Sequence, residues 1–293
     1  MKKQTERCAL CLEEKELCIS HIIPAFAGNW MKATSGSEYF REPLEPNLRS
    51  QDIFKTRLFC LDCESRFSVF EKWFSENIFQ PLMDGTQTTF EYNTRLFEFV
   101  ISVSFRSALK DASRFLTLYS KHSDVIFSAL DSWRTFLLGK SPVPNVSRHY
   151  LYFPPSIAMD TEGRYPDINW YIHRSVGLTM VEYQKVPAVY WKMPRICVIS
   201  VMDRKYVQEL RAYSIHAKNG ILNSMKGGVP NDFMQFIFDC SLGVTKVKNG
   251  LSQKQLGKIN QTYRQNIDRF AESPSYLPAL ADYKNMIVTS NKS

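Results

Sequence analysis

A chain of 293 residues is too long for one minimal core and fits two domains or one elaborated domain. Its 44% hydrophobic content, with 20 Phe, 14 Tyr and 5 Trp, excludes a disordered or low-complexity polymer and allows a substantial interior. The net charge of +8 points to an anionic partner, but residues 1–80 hold 11 basic against 12 acidic side chains, while residues 203–293 hold 13 against 7.

The first residues, Met1 to Arg7, lead into cysteines and acids rather than an apolar run, so no secretory leader is expected. The most apolar stretch, Phe99 to Phe105, is bounded by Glu98 and Arg106 and is far short of a membrane span. Seven cysteines are an odd number, and four of them form two Cys-x2-Cys pairs, Cys8/Cys11 and Cys60/Cys63. Each pair sets two thiolates one tight turn apart, the bite of a tetrahedral zinc, so a structural Zn²⁺ in a reducing cytoplasm is expected rather than disulfides. A competing set, Cys8, Cys11, Cys18 and His21, would make a short zinc finger but would orphan Cys60 and Cys63. Cys197 and Cys240 sit in apolar runs and read as buried thiols.

Taken in order, residues 8–18 form a turn with an acidic tip, and Leu17 to Ile23 is a short strand that Pro24 ends. Residues 24–57 are loop-like, with a helical turn possible over Phe26 to Lys32, and Lys55 to Cys60 is a second strand. From Cys63 the period turns helical: Phe67, Phe70, Phe74 and Ile78 share one face, and Pro81 and Gly85 mark the stop. Residues 91–138 suggest two helices, the first from Asn93 to about Leu118 and apolar nearly all round. Ser123 or Asp124 is placed to cap the second, and Gly139 to end it. After a linker over 140–147 the period becomes two. Arg148–Phe153, Ile168–Arg174, Val176–Tyr183, Val186–Lys192 and Ile196–Met202 read as strands of a largely antiparallel sheet. Helices return past Asp203, with Ser252 and Gln255 as a capping box and Leu256, Ile259, Tyr263, Ile267 and Phe270 as a stripe. The expected fold is α+β: a small zinc-stapled ββα module over residues 1–85, then a larger domain over 86–293. That domain divides into helices over 90–140, sheet over 148–202 and helices over 203–293.

The cysteine frame Cys8-x2-Cys11 and Cys60-x2-Cys63-Glu64, enclosing Ser20-His21-Ile22-Ile23-Pro24 and Arg49-x-Gln51-Asp52, resembles the HNH (ββα-metal) endonucleases. It looks like a bacterial HNH-like group with a four-cysteine zinc frame. The likeness covers residues 8–81. It implies hydrolysis of DNA phosphodiester bonds, with His21 as the general base and a catalytic Mg²⁺ or Mn²⁺ distinct from the zinc. Glu64 and Asp52 are the candidate ligands of that ion, and Lys55 and Asn47 the candidate catalytic partners. Arg49 and Arg57 are candidates for contact with nucleic-acid phosphate. Ser20 stands where the family carries a metal-ligating Asp or His, Glu64 where it often carries His or Asn, and Lys55-Thr56-Arg57 where its asparagine normally lies. Those departures keep a second reading open: a degenerate zinc module serving DNA or protein binding in a regulatory protein. Family analogy points to a defence effector against phage or plasmid DNA. The larger domain would then bind DNA, sense a small-molecule trigger, or meet a partner protein or further copies of the chain. Outside the module, His122, His149, His173 and His216 are isolated and read as structural. Glu71 reads as a surface charge, and Trp170-Tyr171 with Tyr190-Trp191 as core or as a stacking platform.

Overall fold

The computed structural model describes residues 5–37, 39–160, 162–204, 207–225 and 231–290. Strands β1 (Glu6–Arg7) and β2 (Glu14–Lys15) pair antiparallel and close the turn that carries Cys8 and Cys11. Strand β3 (Leu17–His21) ends before Pro24, which sits at the N-cap of helix α1 (Ala25–Ala33). The helical turn expected over 26–32 is thus a full helix. Strand β4 (Lys55–Cys60) pairs antiparallel with β3 and runs directly into helix α2 (Leu61–Phe74). Pro81 does not stop the helix. The chain passes through a π-helical stretch at Ser75–Phe79 into α3 (Gln80–Met83), a wider turn that absorbs the donor missing at a proline. The stop falls at Gly85, whose φ of +69° suits a residue without a β-carbon.

Strand β5 (Thr89–Asn93) leads into α4 (Thr94–Leu118), where the Asn93 side chain caps the helix by accepting from Arg95 N. Helix α5 (Ser123–Leu137) follows, and neither Ser123 nor Asp124 caps it: His122 holds the cap position without a side-chain bond. Strand β6 (Arg148–Tyr152), helix α6 (Ile168–Arg174), and strands β7 (Gly177–Tyr183), β8 (Val186–Met193) and β9 (Ile196–Val201) come next. The four strands form an antiparallel sheet in the order β6-β9-β8-β7. Strand β10 (Asn219–Asn223) and helices α7 (Asn231–Asn249), α8 (Gln253–Gln265), α9 (Ile267–Ala271) and α10 (Tyr276–Ser290) complete the fold.

Two expectations are corrected here. Residues 168–174 are helical, not a strand. The first-turn amides of α6 need acceptors, and they find one in a distant carboxylate: Asp282 of α10 takes bonds from Asn169 N at 2.9 Å and Trp170 N at 2.7 Å. A cap borrowed from so far along the chain leaves no local sequence signal. The stretch read as helical from 203 onward contains β10, which pairs antiparallel with β5. Gly220, opposite Tyr92, leaves room for the Tyr92 ring, whose hydroxyl a β-carbon there would meet. Within 203–293, residues 205–206, 226–230 and 291–293 lie outside the described residues.

The sheet is covered on both faces. Val189, Trp191, Met193 and Val198 pack with α4, while Ala188, Tyr190, Cys197 and Ile199 pack with α6 and α7. The first of these cores is continuous with the N-terminal module: Phe59, Phe67 and Phe74 join Phe99 and Phe105 of α4, with the Phe74 and Phe99 rings 3.9 Å apart. Among the described residues, no helix is long and apolar enough to cross a membrane.

A buried polar chain ties α4, α5 and the sheet together. Trp191 Nε1 donates to Ser104 Oγ at 2.9 Å, and Ser104 meets Ser200 at 2.7 Å. Ser200 meets His149 Nδ1 at 2.8 Å, His149 Nε2 meets Ser147 at 3.1 Å, and Trp133 Nε1 of α5 donates to Ser147 Oγ at 2.8 Å. Burial pulls His149 down from 6.5 to about 3 and His173 down to about 4. Bases with folded pKa values below their unfolded ones give stability that is complete above pH 6.5 and lost as pH falls toward the folded values. At pH 5 each imidazole costs about 2 kcal/mol. Asp282, raised by burial to about 6, takes up its proton in the folded state and returns about 1 kcal/mol. Urea denaturation is therefore expected to show stability falling by about 3 kcal/mol from pH 7.5 to 5, with His173→Gln removing about two thirds of that fall. A flat profile would show that these imidazoles are not buried neutral.

A cavity of about 960 Å³ opens between residues 35–54, the start of β7 and the C-terminal helices. A dry void of that size would cost more than about 20 kcal/mol at about 24 cal/mol per Å³. That exceeds the whole stability of an ordinary domain, so the space is open to solvent.

Candidate functional site

The two ends of the β3–β4 pair carry the groups with chemical potential. At one end, Cys8 and Cys11 lie in the β1–β2 turn, Cys60 closes β4, and Cys63 sits in the first turn of α2. Ala9 N donates to Leu58 O at 2.9 Å, which docks the turn on β4. All four sulfurs then lie within 4.8 Å of one another, a set that can hold a metal ion. Cys18 and His21 lie outside it, so the fold does not assemble the short-finger alternative. Burial pushes the Cys63 thiol up. At Cys8 burial acts the same way, but backbone N–H donors outweigh it and pull the thiol down to about 7. Four thiols this close form a donor set that a divalent cation such as Zn²⁺ would hold together as thiolates.

At the other end, a register shift between Cys18 and Ile19 twists β3 so that Ser20 turns inward, 2% exposed, beside Glu64. His21 is the last residue of β3, opposite Lys55. Its Nε2 lies 3.0 Å from Asp52 Oδ2, without the direction of a well-formed hydrogen bond, and Lys55 Nζ lies 3.3 Å from the same oxygen. Burial alone would raise Asp52, but His21 and Lys55 outweigh it and hold the carboxyl below its ordinary range. Glu64 goes the other way: burial raises it, offset in part by the Ser20 hydroxyl and by the charge of Arg106. One of its oxygens, Oε1, is buried without a hydrogen-bond partner.

Arg106 of α4 is the group that sequence reading missed. It is 1% exposed, and its Nη1 donates to the carbonyl of His21 at 2.9 Å and lies 2.7 Å from Glu71 Oε1. Glu71 is therefore not a free surface charge but the counter-ion of a buried guanidinium. The signal was available: Arg106 is a lone cation in an otherwise apolar helical run, and a buried charge needs a partner.

His21, Asp52 and Lys55 come together, with Glu64 beside the neighbouring Ser20. Among the described residues the four cysteines are the one set of His, Cys, Asp or Glu ligand atoms close enough to hold a metal ion as they stand. The other sequence candidates do not join the His21 end. The Asn47 amide donates to Gly250 O at 2.9 Å and accepts from Ser252 N at 2.8 Å, which commits it to the α7–α8 junction. Arg49 lies over the Tyr39 ring at 4.5 Å. Arg57 donates to Leu17 O at 2.6 Å within the strand pair. Comparison with protein-family models, curated proteins and solved structures finds no match for this chain in any of the three.

Proposed function

We propose that the protein is a metal-dependent DNA endonuclease of the HNH type, built around His21 and a zinc-bound Cys8/Cys11/Cys60/Cys63 frame. The observation that carries the reading is the meeting of His21 Nε2, 3.0 Å from Asp52 Oδ2, with Lys55 at the end of the β3–β4 pair, together with the buried, unpartnered Glu64 Oε1 on the helix that follows. Buried polar atoms are almost always satisfied, so Glu64 Oε1 calls for a cation or a donor beside it. Glu64 and Asp52 are the hard oxygen ligands available to a divalent cation, Mg²⁺ or Mn²⁺, which when bound supplies charge for the scissile phosphate and the leaving oxygen. His21 takes a proton from water as the water oxygen bonds to phosphorus; the bond to the 3′ oxygen breaks, that oxygen takes a proton from solvent water, and His21 returns its own proton to solvent. Asp52 orients the imidazole for that transfer. The basic C-terminal third suits the polyanionic substrate.

A second reading, a zinc module that binds without cutting, rests on Asp52 already being matched by His21 and Lys55. Supercoiled plasmid with Mg²⁺ or Mn²⁺ separates the two. The enzyme is expected to nick it, and His21→Ala to lose at least about 100-fold in rate while melting like the parent. Plasmid binding without cleavage in either protein would leave the binding module as the answer.

A further inference from the structure

We infer that the cavity between residues 35–54 and the C-terminal helices is a binding site for a small amphipathic anion, an apolar body with one acidic head group. The inference does not need the nuclease reading, although the cavity shares Asp52 with the candidate catalytic end. It starts from the helical stripe of the C-terminal segment. Leu256, Ile259 and Tyr263 of α8 and Ile267 and Phe270 of α9 all line the cavity, yet neither helix has a single buried residue. A stripe of that kind normally closes against a core. Here it faces Ile22, Met31, Ile53 and Leu178 across an open space of about 960 Å³, the upper end of sites for drug-sized ligands. So aliphatic a wall suits hydrocarbon rather than the sugars and repeated charges of a nucleic-acid strand.

The charges in the wall call for the acidic head. Four acids and four bases line the cavity, and they are not matched one to one. Lys248 pairs with Asp167, and Asp52 has Lys55 at 3.3 Å and His21 at 3.0 Å. Asp282 is committed to the amides of α6, and Glu42 is exposed. The other three bases have only neutral partners among the described residues. Arg174 donates to Thr34 Oγ1 at 2.8 Å and to Met31 O, with the Trp30 ring centre 5.2 Å away. Arg41 donates to Pro46 O at 2.6 Å and Gln255 Oε1 at 2.9 Å, and Lys110 Nζ lies 4.3 Å from the centre of the Phe54 ring. Both guanidinium groups keep N–H donors beyond those bonds. Burial pulls both down, Arg174 to about 10, and no carboxylate stands near enough to either to offset it. A partly dehydrated cation without a counter-ion is stabilised by an anion, and a guanidinium takes a carboxylate, sulfonate or phosphate through paired donors. Asp52 repels such a head group, which therefore seats at the arginines, Arg174 first, while the apolar body takes the aliphatic part of the wall.

The test uses a matched pair of dyes on the full chain: 1-anilinonaphthalene-8-sulfonate, an amphipathic anion, and N-phenyl-1-naphthylamine, the same scaffold without the charge. The sulfonate is expected to bind saturably, one per chain, and at least about tenfold tighter than the neutral dye. Arg174→Gln is expected to weaken the sulfonate by at least about tenfold, and Arg41→Gln by about threefold, each leaving the neutral dye within about twofold. Ala279→Trp, which fills the cavity, is expected to weaken both dyes by at least about tenfold. Asp52→Asn removes a repelling charge, so the sulfonate should bind it at least as tightly as the parent. Melting temperatures check that each variant folds; if Arg174→Gln does not, Arg41→Gln carries the test of the head group. Dye affinity is read without any nicking, so failure here and failure of the nuclease reading are separate results. Absence of saturable binding, equal affinity for the two dyes, or a folded arginine variant that binds the sulfonate like the parent would overturn the inference.

Discussion

Cys60→Ser, or chelation of the native protein with 1,10-phenanthroline, is expected to lower the melting temperature by at least about 10 °C, and the native chain is expected to carry one zinc. The four sulfurs lie within 4.8 Å of one another, and Cys8, Cys60 and Cys63 are themselves part of the main hydrophobic core. Structural zinc contributes on the order of 10 kcal/mol to the folding of the sites it closes. Even a net loss of about 4 kcal/mol shifts melting by about 8–16 °C in a chain of this size class. The loss should not stay local, because Leu10, Leu17, Phe59 and Phe67 pack in the same cluster as Phe99 and Phe105 of α4. Far-ultraviolet circular dichroism should therefore lose helix as well as strand. Native mass spectrometry showing no zinc, with Cys60→Ser melting like the parent, would make the four cysteines ordinary buried thiols.

Local patterns account for much of this architecture. The cysteine spacing, the turn at Pro24, the Phe67-Phe70-Phe74-Ile78 face and four of the five expected sheet strands are all set by residues within one or two turns of each other. What the sequence hides is non-local. Helix α6 exists because Asp282 caps it from α10, and a period-two reading of 168–174 cannot see that carboxylate. Strands β5 and β10 are five residues each, and β10 buries only Leu222, so neither has a hydrophobic pattern long enough to stand out. The same holds at the candidate site. His21, Asp52 and Glu64 are legible because they flank the metal frame, whereas Arg106 and Glu71 become partners only when α4 packs on α2. Asn47 shows the opposite failure, since an amide of the right type near the module is claimed by Gly250 and Ser252 at the far end of the chain.

Arg106→Ala is expected to destabilise the protein by about 3 kcal/mol and, at equal folded fraction, to slow plasmid nicking by about tenfold or more. Removing one partner of a buried ion pair ordinarily costs about 3–5 kcal/mol. Glu71 retains 23% side-chain exposure and can regain water, which places this pair at the low end. The kinetic effect has a separate origin. Arg106 Nη1 holds the carbonyl of His21, so the guanidinium fixes the strand end from which the imidazole projects. Arg106 thus acts as a positioning residue, through His21. Glu71→Gln separates the two roles: it keeps an acceptor for Nη1 while removing the charge, so stability should fall by only about 1 kcal/mol with nicking nearly intact. In the double-mutant cycle with Glu71→Ala, a coupling of about 2 kcal/mol is expected from urea denaturation. A coupling near zero would mean that the Arg106–Glu71 contact carries no energy. Nicking that survives Arg106→Ala unchanged would mean that β3 holds His21 in place without help from α4.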